Sequence, residues 1–354
     1  MTSDALQFLK WQKKIWKWTS FFSDSYERSP VTMGIESSIP CKLFLQSFGS
    51  KNDDKCFYVI HGHEAGLFSN LQYVLSHIKI AERLNMIPVV DYKNLPNTYS
   101  IKSKIEGGGK NAWEYYFHQL THYSLDEVYS SKNVCFCYGF WQQGNDAFDS
   151  NPDELQKIYD KYIKLDDHIH TEINTYFKEL FEGKYVLGIH FRGWEQNITP
   201  GHPFCPTIKQ MFICTDDILK QRRVDKIYLV TEEKSYFEAF DERYGDLLIS
   251  TPYYRTNKMN GYKIHPEPRE NHIYLLGKEI MIATYLLAKC NSLLYSSSNV
   301  PKAAIFLKND NYDIRYYIDN GINSTNRLYS KFKYTIKKVL PQKFGGLPFR
   351  VNKF

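Results

Sequence analysis

His190 and Arg192 stand one residue apart at the end of the run Tyr185-Val-Leu-Gly-Ile-His-Phe-Arg-Gly, and Gly193 follows them directly. Arginine carries a planar fork of N–H groups that fits a phosphate or diphosphate bidentately. A glycine beside it lets the backbone approach such a ligand closely. Two further segments place polar residues after short apolar runs. Thr231, Glu232 and Glu233 follow KIYLV, and Ser296, Ser297, Ser298 and Asn299 follow SLLY. The serines precede a helix expected from near Pro301, whose free N–H groups and positive dipole end favour anions. Singly, each segment has a plainer reading: a surface ion pair, a loop, a satisfied semi-buried histidine. Their shared place beyond strand ends, where open α/β sheets bind ligands, points to a nucleoside diphosphate site.

The elements that must position these residues follow from periodicity. CFYVIHGHEAGLFSNLQYVLSHIKIAERLNMIPVVD reads as strand, Gly-containing turn, helix, strand, with Leu71, Val74, Leu75 and Ile78 at helical spacing. This is a βαβ unit of a parallel sheet. A short strand is expected near Val134–Tyr138. One long helix is expected from Asn151 as cap and Pro152 as first residue to Gly183, with Leu155, Ile158, Tyr162, Ile169, Ile173 and Leu180 as its buried stripe. A second alternation then runs through strand 185–191, helix 207–221, strand KIYLVT, helix 235–243, strand DLLIST, helix 272–289, strand SLLY and the helix from Pro301. Two doubly wound α/β domains facing a cleft are expected: 1–170, 171–325, and a basic aromatic tail at 326–354.

The chain has 354 residues with 43% hydrophobic and 24% charged residues, the composition of a globular protein of two ordinary domains. Its seven cysteines are scattered without a CxxC pair, which suits reduced thiols in a cytoplasmic protein. No run approaches the ~18 apolar residues of a membrane span, and the first residues lack a signal-peptide core. The net charge of +6 is uneven: residues 326–354 hold eight Lys or Arg and no acidic residue. Residues 8–22, FLKWQKKIWKWTSFF, interleave four lysines with three tryptophans. Both ends suit an anionic membrane surface at the inner face of the membrane, or else are solvated terminal helices. Neither carries a nucleic-acid-binding motif.

Other polar clusters favour plain roles. His61 and His63 lack partners at metal-ligand spacing and read as loop contacts. Trp113, Glu114 and Tyr115, in WEYYF, suit either stacking on an acceptor sugar or core packing. Cys135 and Cys137 alternate on a strand and need no redox role.

Several of these motifs occur together, in order, over residues 56 to 308. HGHEAGLFSNLQYVLSHIKIAERLNMIPVVD, NAWEYYF, GIHFRG, KIYLVTEE and LLAKCNSLLYSSSNV resemble the fucosyltransferase superfamily of nodulation-factor and N-glycan-core α1,6-fucosyltransferases and protein O-fucosyltransferases. GIHFRG resembles that family's HxR(R/G) donor motif. The resemblance implies a GT-B fold of two Rossmann-like domains, a GDP-fucose donor as substrate, a glycan acceptor, inversion at the sugar carbon, and no metal or other cofactor. The absence of any Asp-x-Asp agrees with the last point. By position, Arg192 neutralises the leaving β-phosphate, His190 lies near the nucleoside, and Ser297 and Ser298 lie near the phosphates. The Gly62–Gly66 loop and Asn70 face the donor from the other domain. Glu195 is the first candidate for general base, His202 the second and Glu64 the third. Gly193 stands where many members have a second arginine. Ala283 stands where members usually carry the Asp that reads guanine, and Glu279, one turn earlier, is the candidate substitute. Two alternatives stay open: another nucleotide-activated donor on the same fold, or a nucleotide- or glycan-binding protein without catalysis.

Overall fold

The computed structural model describes residues 42–95, 97–100, 111–138, 148, 152–258 and 268–354. They divide into two units, the first ending at Asp167 and the second beginning at His168. The basic aromatic segment 8–22, the Gly-rich stretch 106–110, the Asn151 cap and the side chains of Trp194 and Glu195 lie outside the described residues.

The first unit holds β1 (Lys42–Gln46), β2 (Phe57–His61), α1 (Leu67–Arg83), β3 (Ile87–Asp91), α2 (Leu125–Val128), β4 (Val134–Tyr138) and α3 (Pro152–Tyr162). Its sheet runs β1-β4-β2-β3, with β2 parallel to both β3 and β4 and β1 antiparallel at the edge. Strand β2 is buried along its length, as an apolar run in the middle of a parallel sheet must be. Phe57, Val59, Val89 and Phe136 pack with Phe48 and Tyr129 on one face. On the other, Tyr58 meets α1 through a hydrogen bond between its hydroxyl and His77 Nδ1 at 2.8 Å.

The second unit holds α4 (Asp167–Tyr176, whose first residue closes the first unit), β5 (Val186–His190), α5 (Ile208–Gln221), β6 (Lys226–Val230), α6 (Lys234–Tyr244), β7 (Leu248–Ile249), α7 (His272–Lys289), β8 (Ser292–Ser296), α8 (Asn299–Lys308), β9 (Ile314–Asp319), α9 (Arg327–Val339) and β10 (Arg350–Lys353). The sheet order is β10-β9-β8-β5-β6-β7, parallel except for β10. The chain moves outward from β5 to β6 and β7, then returns to place β8 on the other side of β5. The order therefore reverses between β5 and β8. Helices cover both faces. Met211 and Ile218 of α5 and Phe240 of α6 pack with Leu187, Ile189 and Leu229 on one face. On the other, α7 comes so close to Gly188 that a Cβ there would sit 2.9 Å from Cys290 Sγ and 3.0 Å from Leu287 Cδ2. Each unit is thus the α/β fold with a largely parallel sheet that the alternation predicts.

Four local expectations are corrected. The long helix is two helices, because residues 163–166 leave the helical path to pair with 116–118. His118 N donates to Lys164 O at 2.8 Å and Asp166 N to Tyr116 O at 3.0 Å, which bridges Phe117 and Leu165. DLLIST contributes only the two-residue β7 at the sheet edge. Helix α8 begins at Asn299, so Pro301 sits in its first turn, where a missing N–H costs no helical bond. Cys137 is disulfide-bonded, whereas Cys56, Cys135, Cys205, Cys214 and Cys290 are free thiols. Among the described residues no helix is long and apolar enough to cross a membrane.

Candidate functional site

The reversal point of the second sheet gathers the three polar segments. β8, β5 and β6 are adjacent and parallel, so their carboxyl ends share one edge. The pairing continues one residue past β5, where Phe191 N donates to Val230 O at 2.9 Å. Arg192 then leaves the sheet between Glu232 on the β6 side and the serines on the β8 side. Its Nε lies 3.4 Å from Glu232 Oε1, and about two fifths of its side chain is open to solvent. Glu232 Oε1 also accepts from Gly193 N at 3.1 Å. One carboxylate thus holds both the guanidinium and the backbone that follows it.

Gly193 also has close neighbours within the protein. A Cβ there would lie 2.8 Å from Glu233 Oε1 and 3.0 Å from Glu232 Oε1, so the close neighbour is the pair of glutamates. Its φ of −64° is open to any residue. Thr231 is fully buried, and its hydroxyl accepts from Glu233 N at 3.2 Å, which shapes the turn into α6.

His190 is buried at 2% exposure, and burial pushes its pKa down to about 4, against a smaller upward pull from Glu232. The ring is neutral at neutral pH, and its Nδ1 has no hydrogen-bond partner among the described residues. His202 lies at the surface of the same loop. Partial desolvation, and then the Arg192 charge, lower its pKa, so it too is a neutral imidazole able to take a proton. Cys205 donates from Sγ to Gly193 O at 3.3 Å, and its burial pushes the thiol up to about 12.

On the β8 side, Ser296 is buried, whereas Ser297 and Ser298 are half-buried. Ser298 caps α8 in an extended conformation (φ −163°) without a side-chain capping bond. Its hydroxyl is therefore not committed to the helix it precedes. The first amides of α8 and the positive end of its dipole lie at the same sheet edge as Arg192.

Several residues of this loop escaped the sequence reading. Asn197 Oδ1 accepts from Cys205 N at 2.6 Å, and Asn323 Nδ2 donates to Asn197 O at 2.8 Å and to Ser330 O at 3.1 Å. Ser330 Oγ donates to Ile198 O at 3.2 Å. These partners are separated by more than a hundred residues in some cases, so only the fold brings them together.

The proposed guanine substitute is already occupied. Glu279 is 7% exposed, its two oxygens pair with both arms of Arg269, the outer one at 2.8 Å, and Tyr254 N donates to Oε2 at 2.9 Å. Ala283 is fully buried in α7.

In the first unit, the Gly62–Gly66 loop leaves β2, beside the point where that sheet also reverses between β2 and β4. Asn70 is engaged with its own loop. Its Oδ1 accepts from His63 N at 2.9 Å and its Nδ2 donates to His63 O at 3.2 Å and Ala65 O at 3.0 Å, so the amide fixes the loop. Gly62 is packed, since a Cβ would sit 2.7 Å from Asn97 Cβ; Gly66 has open space where its Cβ would be. His61 Nε2 lies 3.3 Å from Cys137 O and from Tyr73 Oη, and burial pushes His63 down to about 4. No group of three or more potential ligands gathers for a metal among the described residues. Trp113 belongs to the core: it is 2% exposed, stacks on Phe117, and donates to His118 O at 2.9 Å. Glu114 is exposed and Tyr115 half-buried.

No protein-family model and no curated protein matches the chain. Among solved structures it is similar to NodZ α-1,6-fucosyltransferase soaked with GDP-fucose, at 15% identity and a TM-score of 0.48, over 76% of this chain and 98% of that one. Another structure of NodZ, from Bradyrhizobium, gives 15% and 0.47. Arabidopsis thaliana FUT1 in complex with GDP gives 12% and 0.42, over 77% of this chain and 72% of that one. With TM-scores this low, the reading of the site rests on the chain's own residues.

Proposed function

We propose that this chain is a glycosyltransferase whose second unit binds a nucleoside diphosphate sugar. The observation that carries the reading is the convergence of Arg192, the N-terminus of α8 and the uncommitted Ser298 hydroxyl on the reversal point of the second sheet. An acceptor hydroxyl attacks the sugar carbon, the bond from that carbon to the β-phosphate oxygen breaks, and the diphosphate leaves with the electron pair. Arg192 and the α8 dipole meet the charge that develops on it, so the protein itself supplies the stabilisation a metal gives elsewhere. The acceptor proton passes to a base for which His202, a neutral imidazole near Arg192, and Glu195, three residues after it, compete. Attack opposite to departure inverts the carbon.

Fucose and GDP enter from the motif resemblance, and a surface glycan borne on a membrane is the acceptor class that suits the basic ends of the chain. A second reading, another nucleoside on the same diphosphate grip, is favoured by the buried Ala283 and by the engagement of Glu279. Calorimetric titration of GDP, UDP and CDP separates them. GDP preference supports the main reading; preference for another base supports the second. If none binds, the donor-site assignment fails.

A further inference from the structure

Helix α9 presents its apolar side to solvent. Leu328 is 74% exposed, Phe332 63%, Ile336 50% and Val339 76%. At 100° per residue these four lie within one arc of roughly 80°. The opposite arc faces the second unit: Ser330 is fully buried and Tyr334 packs against Phe204 at a centroid distance of 5.8 Å. This reverses the usual surface helix, whose apolar stripe faces the core. Lys331 and Lys338 border the stripe on one side and Lys333 on the other, while Lys337 turns away from it and donates to Gly345 O at 2.9 Å. Nearby, Ile322 and Phe344 extend the exposed apolar surface at 65% and 67%. Contiguous exposed apolar residues rimmed by charge mark an interaction surface.

We propose that this face of α9 docks on an anionic lipid surface, with the apolar stripe entering the headgroup–acyl boundary and the flanking lysines meeting lipid phosphates. Charge selects this occupant. Residues 326–354 carry eight Lys or Arg and no acidic residue, so a second copy of the same face would bring like charges together. The segment 8–22 of this chain, with four lysines and no acidic residue, is repelled for the same reason. The face is not isolated from the candidate site. Ser330 and Asn323 tie α9 to residues 197–199, in the loop that follows Arg192. Docking would therefore set that loop at a fixed distance from the lipid. The proposal does not depend on nucleotide binding.

Vesicle co-sedimentation of the full chain tests it, with phosphatidylcholine alone and with phosphatidylcholine containing phosphatidylglycerol. Binding to the anionic vesicles is expected to exceed that to the neutral ones at least about tenfold, and to weaken in high salt. The double variant Phe332→Glu/Ile336→Glu changes only exposed positions, and it should lose the binding while retaining nucleotide affinity and melting temperature. Lys331→Gln/Lys338→Gln should weaken anionic binding without such a change in apolarity. Equal binding to both vesicle types, no binding, or wild-type binding by the Phe332/Ile336 variant would each overturn the proposal. So would a concentration-dependent dimer in sedimentation velocity that this variant abolishes, since the face would then belong to a second copy.

Discussion

At the smallest scale, Arg192 and Glu232 are coupled at the edge of the candidate site. In the free protein Glu232 holds the guanidinium and also accepts from Gly193 N, so a carboxylate occupies ground that a phosphate oxygen would claim. Removing its charge while keeping an amide oxygen, in Glu232→Gln, should tighten diphosphate binding by roughly threefold to tenfold, because one like charge is lost beside the anion. Weaker binding in calorimetry would mean that the carboxylate's aim on Arg192 matters more than its charge. Gly193→Ala should cost about 1–2 kcal/mol in denaturant unfolding, since the methyl would press within 2.8 Å of the buried Glu233 carboxylate. An unchanged midpoint would show that both glutamates yield easily.

At the scale of elements, two polar anchors hold loops in place, Asn70 in the first unit and the Arg269–Glu279 pair in the second. Asn70→Ala removes the amide that fixes the Gly62–Gly66 loop and leaves buried backbone groups unpaired, a loss of about 2 kcal/mol or more by chemical unfolding. Arg269→Ala leaves the nearly buried Glu279 without its ion pair, and about 3 kcal/mol of stability should go with it. If either variant unfolds like the wild type, its side chain is not the anchor described. The same anchors explain what the sequence does and does not disclose. Parallel strands buried on both faces are continuous apolar runs, so β2, β5, β6 and β8 are readable, and with them the loop ends holding His190, Arg192, Glu232 and Ser298. The break after Tyr162 is invisible because no glycine or proline marks it. It arises from backbone pairing with residues 116–118. Trp113 looks like a sugar platform by type, and only its stacking on Phe117 places it in the core. The Asn197–Asn323–Ser330 brace and the Arg269–Glu279 pair have no local signature either, since polar partners are chosen by the fold.

Across the whole molecule, buried histidines tie stability to pH. His190 in the second unit and His63 in the first are both pushed by burial from 6.5 to about 4, and His61 and His77 are also lowered. Each folded pKa lies below its unfolded value, so the folded state prefers the neutral ring. The contribution is complete above about pH 6.5 and is lost as the pH falls toward 4, because the unfolded chain takes up protons that the folded chain refuses. A shift of this size is about 3 kcal/mol for His190 alone. Melting temperature should therefore fall steadily between pH 6.5 and 4.5, and a flat profile would place these rings in more solvated surroundings. The central claim is that the second sheet grips a diphosphate through Arg192. Calorimetry of GDP against GMP, in wild type and in Arg192→Ala, tests it most directly. The account predicts that wild type binds GDP at least about thirtyfold more tightly than GMP, and that Arg192→Ala removes most of that difference. Equal affinity for the two nucleotides, or a preference for GDP that survives the loss of Arg192, would contradict it.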